Sequence, residues 1–329
     1  MISERRADVR ILYGDPALGT RRLYRQALVG SGYNHLREFE SLEGFADLLH
    51  VAQPDLVFMA VEMPGGDPIA LTSDLRHGRL GINPYLPVIL TTWEPQQSTV
   101  RRIIDSGADD LLVKPLSTRS LLERVEAVGL NRKPFVVTSD YIGPDRRRSD
   151  ARGNSTVQLI HVPNPMRAKL AGEQIDPHGL QHEIMVANEE INRQRLRASA
   201  FRIAFVAEQI VPIYRSGLSP DEGSLAMLND LIASTEDIQR RVANTEFAHV
   251  GQICDRLLQA ARQIAEQGAS FIYTPDWQKP LDLMKTLGEA VLAFFNPDRD
   301  ASALAGEVAE AIDRFRARKA AQTAGEIPA

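Results

Sequence analysis

Three apolar segments end beside residues whose types could take part in polar chemistry. One ends at Lys114, a second ends at Thr92, and a third, residues 54–61, contains Ala60 near its end. If the segments are strands of one open parallel sheet, their carboxyl ends share one edge, where such sheets bind ligands. The sequence therefore predicts that Ala60, Thr92 and Lys114 meet in one small pocket.

Strand and helix signals alternate through the first 130 residues, as the positioning of such a pocket requires. Predicted strands are residues 9–13, 35–39, 54–61, 87–92 and 111–113, and predicted helices are 18–31, 42–51, 70–79, 99–107 and 117–128. The unbroken apolar run at 54–61 is typical of a strand buried on both faces. Alternation of this kind predicts an α/β, doubly wound (βα)5 parallel sheet over residues 1–130.

The order and spacing of these segments resemble the CheY-like receiver domain of bacterial two-component response regulators. The resemblance places the family's phosphoacceptor aspartate three residues before the Met-Pro pair at 63–64, and this chain has Ala60 there. Alanine cannot form an acyl phosphate. The resemblance also implies that Thr92 is the hydroxyl that contacts the phosphoryl group and that Lys114 is the lysine that pairs with it.

Two further positions depart from the family pattern. The resemblance implies adjacent acidic residues after the first strand as Mg²⁺ ligands, but Asp15 is followed by Pro16, which has no side-chain oxygen for a cation of this kind. The family's switch aromatic is Leu111 here. We therefore predict a pseudo-receiver without a cofactor, in which Asp15 is at most a residual Mg²⁺ ligand. Its degenerate pocket consists of Asp15, Ala60, Thr92 and Lys114.

Glu62 has two interpretations, because it follows Ala60 by two residues at the start of a loop. The favoured one is a solvated loop glutamate. The alternative is a fixed negative charge near Lys114 that holds the domain in an active shape. For Lys114 we expect a contact with Asp15, and for Thr92 a role in capping local amides rather than in binding a ligand.

Residues 131–175 are predicted to be a basic connector. Within 131–172 there are eight Arg and Lys against three Asp, an excess of five. Guanidinium groups bind carboxylates and phosphates in a bidentate manner, and the candidate anion contacts are Arg146, Arg147, Arg148 and Arg152. The last two resemble the RxxxR motif of PilZ-type domains, so a cyclic di-nucleotide sensor is an alternative function. The favoured role is a clamp onto acidic groups of this protein or of a partner.

Residues 176–320 are predicted to form an all-α bundle, because strand signals end and apolar residues recur at helical spacing. The predicted helices are 180–214, 221–242, 245–267, 276–295 and 300–319, followed by a disordered tail at 321–329. The connector and bundle resemble those of bacterial receiver proteins that end in an uncharacterised helical domain. Phe201, Ile203, Phe205 and Val206 are candidates for a homodimer face.

A histidine phosphotransfer domain is also a helical bundle with one exposed histidine. A second alternative is therefore a phosphorelay protein that is phosphorylated on His249 or His182. The residues after His249, Val-Gly-Gln-Ile-Cys-Asp, lack the lysine and small residues of that family. Metal binding is not expected, since Cys254 is alone and no His/Cys pair has ligand spacing.

Composition limits the remaining classes of function. A net charge of -5 does not favour nucleic-acid binding, a single cysteine excludes an intrachain disulfide, and no apolar run approaches the roughly 18 residues of a membrane span. We therefore predict a bacterial cytoplasmic signalling protein that is not an enzyme and acts through protein–protein contact. The face near Thr92 and Leu111 is the predicted partner surface.

Overall fold

The computed structural model describes residues 2–147, 158–174, 176–217, 219–243 and 245–323. The chain divides into two compact units between Ile191 and Asn192. The described residues of the predicted connector therefore belong to the same unit as the predicted receiver-like domain.

A five-strand parallel sheet forms the centre of the first unit, with strand order β2-β1-β3-β4-β5. Its strands are β1 (Arg10–Gly14), β2 (His35–Phe39), β3 (Leu56–Ala60), β4 (Val88–Thr92) and β5 (Asp110–Val113). Every residue of β3 and β4 is buried, which accounts for their unbroken apolar character. The predicted doubly wound α/β fold is confirmed.

Helices cover both faces of this sheet. They are α1 (Ile2–Ala7), α2 (Leu18–Gly30), α3 (Phe45–Ala52), α4 (Pro68–Arg76), α5 (Gln97–Asp105) and α6 (Thr118–Leu130). The hydroxyl of Ser117 accepts a hydrogen bond from the Ser120 N–H and caps α6. The Asp67 carboxylate caps α4 in the same way.

The described residues of the connector pack onto the first unit. They form an antiparallel hairpin, β6 (Phe135–Val137) and β7 (Ile142–Pro144), and one short helix, α7 (Pro165–Ala171). Met166 of α7 is fully buried, and Lys169 of the same helix lies 2.7 Å from the Asp55 carboxylate. This part of the connector is thus attached to the first unit by both apolar and ionic contacts.

The second unit is helical. Helix α8 (Pro177–Arg215) starts before the division and ends within this unit, which continues with α9 (Glu222–Val242), α10 (Val250–Ala265), α11 (Gln278–Phe295) and α12 (Ala301–Thr323). Ile203 and Val206 are buried in its core, so of the candidate dimer-face residues only Phe201 and Phe205 retain exposed surface. Within the described ranges, no helix has the length and apolar character needed to cross a membrane.

Candidate functional site

The ends of four strands bring the predicted pocket residues together. Asp15 follows β1, Ala60 ends β3, Thr92 ends β4 and Lys114 follows β5. The strand register pairs Ala60 with Thr91 and Thr92 with Val113, so these ends lie at the same level of the sheet. All four predicted residues are buried.

Lys114 and Asp15 form an ion pair at the base of this pocket. The Lys114 Nζ lies 2.8 Å from the Asp15 Oδ2, and the two side chains are only 2% and 1% exposed. The other carboxylate oxygen, Oδ1, accepts a hydrogen bond from the Ala17 N–H at 2.9 Å. Both oxygens of Asp15 are therefore engaged by the chain itself, and the expected Lys114–Asp15 contact is present.

Glu62 closes the pocket from the side of the solvent. Its Oε1 accepts hydrogen bonds from the Thr92 hydroxyl at 2.8 Å and from the Trp93 N–H at 2.9 Å, and its Oε2 lies 3.3 Å from the Lys114 Nζ. Glu62 is exposed and lies in a loop, as the favoured expectation has it, but its carboxylate also binds groups of the pocket. The negative charge near Lys114 that the alternative requires is present, and the active shape that the alternative adds stays a prediction. The loop after β3 directs the side chain back over the strand ends, where an ammonium, a hydroxyl and an amide offer it three donors.

These contacts also set the charge state of Glu62. Partial burial raises the pKa of this carboxyl, but the Trp93 N–H, the Thr92 hydroxyl and the Lys114 charge lower it by more, so the net pKa lies below the ordinary 4.5. Glu62 is consequently ionised at neutral pH. The pocket holds one ammonium, that of Lys114, in contact with the two carboxylates of Asp15 and Glu62.

The donor set of the pocket does not fit Mg²⁺. This ion requires near-octahedral coordination by oxygen ligands. Pro16 and Ala60 have no oxygen side chains to offer, and both oxygens of Asp15 and of Glu62 already accept from the chain's own donors. Over all the described ranges, no group of three or more His, Cys, Asp and Glu is arranged to hold a metal ion.

The Thr92 hydroxyl makes two hydrogen bonds, and one of them is the contact that the sequence predicted. Its hydroxyl accepts a hydrogen bond from the Glu94 N–H at 3.1 Å, which is the expected capping of a local amide, and it donates to Glu62. Next to it, Trp93 is exposed, and the Lys114 Nζ lies 5.4 Å from the centre of its ring. Leu111, at the position of the family's switch aromatic, packs against the apolar cluster of the sheet.

Comparisons with known proteins identify the family of the first unit. The response regulator receiver domain family matches residues 15–126. Over 119 residues the chain is 34% identical to the Protein CcdB of Bacillus subtilis (strain 168), which covers 36% of this chain and 96% of that protein. The chain belongs to the response regulator receiver family. Receiver domains serve two-component signalling, and this chain carries one.

Two further similar proteins differ in how much of their length this chain matches. The chain is 32% identical over 143 residues to the KDP operon transcriptional regulatory protein KdpE of Escherichia coli (strain K12), covering 43% of this chain and 58% of that protein. The solved structure of the chemotaxis response regulator CheY4 of Vibrio cholerae matches at 20% identity with a TM-score of 0.34, covering 36% of this chain and 98% of that one. The chain thus spans little more than half the length of KdpE.

A second ion network of the receiver was missed by sequence reasoning. The Asp109 carboxylate accepts from the Arg76 guanidinium at 2.9 Å and from the Arg132 guanidinium at 2.6 Å and 3.0 Å. The exposed fraction of the side chain is 2% for Asp109, 1% for Arg76 and 5% for Arg132. The ring of Phe135 lies against both guanidinium groups, 5.4 Å from Arg76 and 4.8 Å from Arg132. In the sequence, Arg76 lies inside the predicted helix 70–79, and nothing there marks it as buried.

Arg76 is further held by backbone carbonyl groups. These acceptors are the carbonyl oxygens of Pro84, Leu86 and Gly107. Burial lowers the pKa of Arg76 to about 10. The negative charge of Asp109 raises this pKa, and the positive charge of Arg132 lowers it further. The guanidinium remains charged at neutral pH.

Two of the candidate anion-binding arginines of the connector, Arg146 and Arg147, lie within the described residues, and both bind groups of the first unit. Arg146 donates to the Asp109 carbonyl oxygen at 3.0 Å, and Arg147 donates to the Asp145 carboxylate at 2.8 Å. The acceptor of Arg146 is a backbone carbonyl, and Asp145 belongs to the same connector as Arg147, so the clamp onto acidic groups stays a prediction. Arg148 and Arg152 lie outside the described residues.

The candidate phosphotransfer histidines are both exposed. His249 directly precedes α10 and is exposed; its Nδ1 is 3.2 Å from the Glu246 carbonyl oxygen and its ring packs edge-on against Phe294. His182 is exposed on α8. Cys254 is buried, and burial raises the pKa of its thiol to about 11, which leaves it protonated and unreactive at neutral pH.

Proposed function

We propose that this chain is an atypical response regulator whose receiver acts through protein–protein contact, without phosphorylation of an aspartate and without catalysis of its own. The observation that carries the proposal is Ala60, which is fully buried at the end of β3 in the centre of the pocket. A methyl group there offers no oxygen for a phosphoryl group.

The charges around Ala60 support the same conclusion. Lys114 is paired with Asp15 and with Glu62, so its ammonium is already neutralised by the chain. The oxygen ligands that Mg²⁺ would need are engaged with donors. The pocket therefore has the features of a structural element that keeps four strand ends in one arrangement.

The surface next to the pocket is the proposed contact site for a protein partner. Trp93 is exposed over the Lys114 ammonium, and Val113 at the end of the edge strand β5 is also exposed. Exposed aromatic and apolar side chains are enriched at protein interfaces. Both residues adjoin the pocket, since the Trp93 N–H donates to Glu62 and Val113 directly precedes Lys114.

Phosphorylation is tested by intact-protein mass spectrometry of the full chain after incubation with acetyl phosphate and Mg²⁺. We expect no mass gain of a phosphoryl group, while a receiver that has an acceptor aspartate gains one under the same conditions. A phosphoryl adduct on the receiver of this chain would overturn the proposal. An acid-labile adduct lost in His249→Ala would instead support the phosphorelay alternative.

The contact surface is tested with a photo-cross-linking amino acid placed at Trp93 or at Val113 in the native host. The matched control position is Leu23 on α2, an exposed apolar residue of the same unit. We expect a shared set of cross-linked proteins at the first two positions that is absent at Leu23. Identical sets at all three positions would contradict the proposed surface.

A further inference from the structure

We propose that an aromatic patch of the second unit binds an acidic segment of another protein that also presents apolar side chains. The patch consists of Phe201 and Phe205 on α8 and Phe315 on α12, together with the exposed arginines close to Phe315 in the sequence. None of these residues belongs to the receiver, so the inference goes beyond the proposed function and does not depend on it.

The three rings of this patch lie in a row. Phe201 and Phe205 are stacked with their ring centroids 6.3 Å apart, and Phe315 meets Phe205 edge-on at 5.9 Å. Phe315 is 42% exposed, although Val308 and Ile312 before it on the same helix are buried at helical spacing. It thus continues the apolar stripe of α12 beyond the buried core. Exposed aromatic rings of this kind are enriched at protein interfaces.

Positive charge is concentrated next to the exposed ring. Arg314, Arg316 and Arg318 are all exposed on α12 around Phe315 in the sequence. Residues 313–319 contain four Arg and Lys and one Asp, an excess of three positive charges. Within the described ranges of the chain, none of the three guanidinium groups forms an ion pair. The patch therefore combines an apolar surface with unpaired cations.

Two features of α12 that could account for these charges do not. Arg299 donates a hydrogen bond to the Glu307 carboxylate at 2.8 Å and lowers its pKa, and the charge of Arg314 lowers this pKa further, so Glu307 already has a partner. The dipole of a helix stabilises cations within its last turn, but the last turn of α12, which ends at Thr323, has no basic residue. The arginines are thus available to a partner.

The rings and the arginines favour the same kind of partner. Guanidinium groups bind carboxylates in a bidentate manner, and aromatic rings offer a large contact area to apolar side chains. A second copy joined through the same patch would bring two sets of arginines together, and like charges across an interface are unfavourable. The net charge of -5 opposes the approach of a nucleic acid or an anionic membrane. An acidic protein segment with apolar side chains matches both features.

The experiment measures binding of the full chain to a fluorescein-labelled synthetic peptide by fluorescence anisotropy. The peptide is an amphipathic helix with leucine at helical spacing and glutamate at the other positions. We expect saturable binding that weakens about tenfold in Phe315→Ala and about tenfold in the double variant Arg314→Glu/Arg318→Glu. Sodium chloride should weaken binding to the wild type more than binding to the double variant.

Matched controls lie on other helices of the same unit. Leu283→Ala and Arg256→Glu change exposed residues of α11 and α10, and both variants should bind the peptide like wild type. Circular dichroism checks that each variant is folded. If Phe315→Ala loses helix content, the double arginine variant decides the test, because both of its positions are exposed.

The inference is overturned if wild type does not bind the peptide, or if the double arginine variant binds it as tightly as wild type. It is also overturned if mixed-sequence single-stranded DNA or phosphatidylserine vesicles bind more tightly than the peptide and lose binding in the same variants. A concentration-dependent dimer in sedimentation that is lost in Phe315→Ala would assign the patch to a second copy instead. None of these readouts involves phosphorylation of the receiver, so failure here is distinct from failure of the proposed function.

Discussion

The receiver contains two ion networks at the two ends of strand β4. At the first residue of β4, the Asp109 carboxylate accepts a hydrogen bond from the Val88 N–H and also pairs with Arg76 and Arg132. At the last residue of β4, the Glu62 carboxylate accepts a hydrogen bond from the Thr92 hydroxyl and also pairs with Lys114. Both networks consist of carboxylates and cations within hydrogen-bonding distance. They differ in access to water, because each side chain of the Asp109 network is at most 5% exposed and that of Glu62 is 37% exposed.

Because the two networks differ in exposure to water, we expect them to contribute differently to stability. A buried ion network is strongly destabilised when one partner is removed, since the remaining charges have no water to solvate them. Arg132 and Phe135 belong to the connector, so the buried network attaches this segment to the sheet. The pocket network has one partner within reach of solvent, and its contacts can be exchanged at lower cost.

The largest expected effect is that of Asp109→Asn. It leaves two buried guanidinium groups without a counter-charge, and we expect the free energy of unfolding to fall by about 3–5 kcal/mol. The measurement is urea unfolding followed by circular dichroism. Asp105→Asn is the control, because its pair with Arg101 is exposed and 4.0 Å long, and its effect should stay within about 0.5 kcal/mol. Equal losses in both variants would mean that the buried Asp109 network contributes no more than an exposed ion pair.

A smaller loss is expected for Phe135→Leu. The substitution removes the ring that lies against Arg76 and Arg132 but keeps an apolar side chain, so we expect a loss of about 1–3 kcal/mol in the same assay. Phe315→Leu, at a half-exposed position of the second unit, is the matched control. A loss no larger than that of the control would show that the ring contributes little to the network.

Glu62→Gln should lower the free energy of unfolding by about 1 kcal/mol at neutral pH, because a neutral amide replaces a charged acceptor. The folded pKa of Glu62 lies below its ordinary value, so its ionised form stabilises the fold above pH 4.5. This contribution is lost as the pH falls from 4.5 through the lowered pKa. Unfolding of wild type and variant across this window should therefore converge, and a difference that is independent of pH would contradict the assignment.

Arg102→Ala should have the smallest effect. Its pair with Asp67 is 2.7 Å long, but the two side chains are 60% and 45% exposed. Exposed pairs contribute roughly 0–1 kcal/mol and are screened by salt. We expect a loss of less than about 0.5 kcal/mol in urea unfolding that disappears at high sodium chloride. A loss that persists in salt would mean that exposure does not separate weak from strong pairs in this receiver.

Much of the fold could be predicted from local patterns. The unbroken apolar segments of β3 and β4 indicate strands buried on both faces, and the alternation of strands with helices indicates a parallel sheet. Asp15, Thr92 and Lys114 could be placed in one pocket because the carboxyl ends of parallel strands share an edge. The contact between Lys114 and Asp15 followed from opposite charges at that edge.

The side-chain contacts that distinguish this receiver could not be predicted in the same way. Arg76 and Arg132 donate hydrogen bonds to the Asp109 carboxylate across 33 and 23 positions of the chain. No local sequence pattern specifies which buried charges will meet. The orientation of Glu62 depends on the path of a loop and on donors supplied by two other strand ends.

The sequence by itself determined the order of strands and helices, the position of Ala60 at the centre of the pocket and the helical character of the second unit, because hydrophobic periodicity and residue type act locally. Only the tertiary structure decided that the Glu62 carboxylate accepts hydrogen bonds from Thr92, Trp93 and Lys114. It also decided that the connector binds the receiver through the contact of Arg132 with Asp109. These contacts depend on which polar groups are brought together out of water, and that is a property of the packed chain.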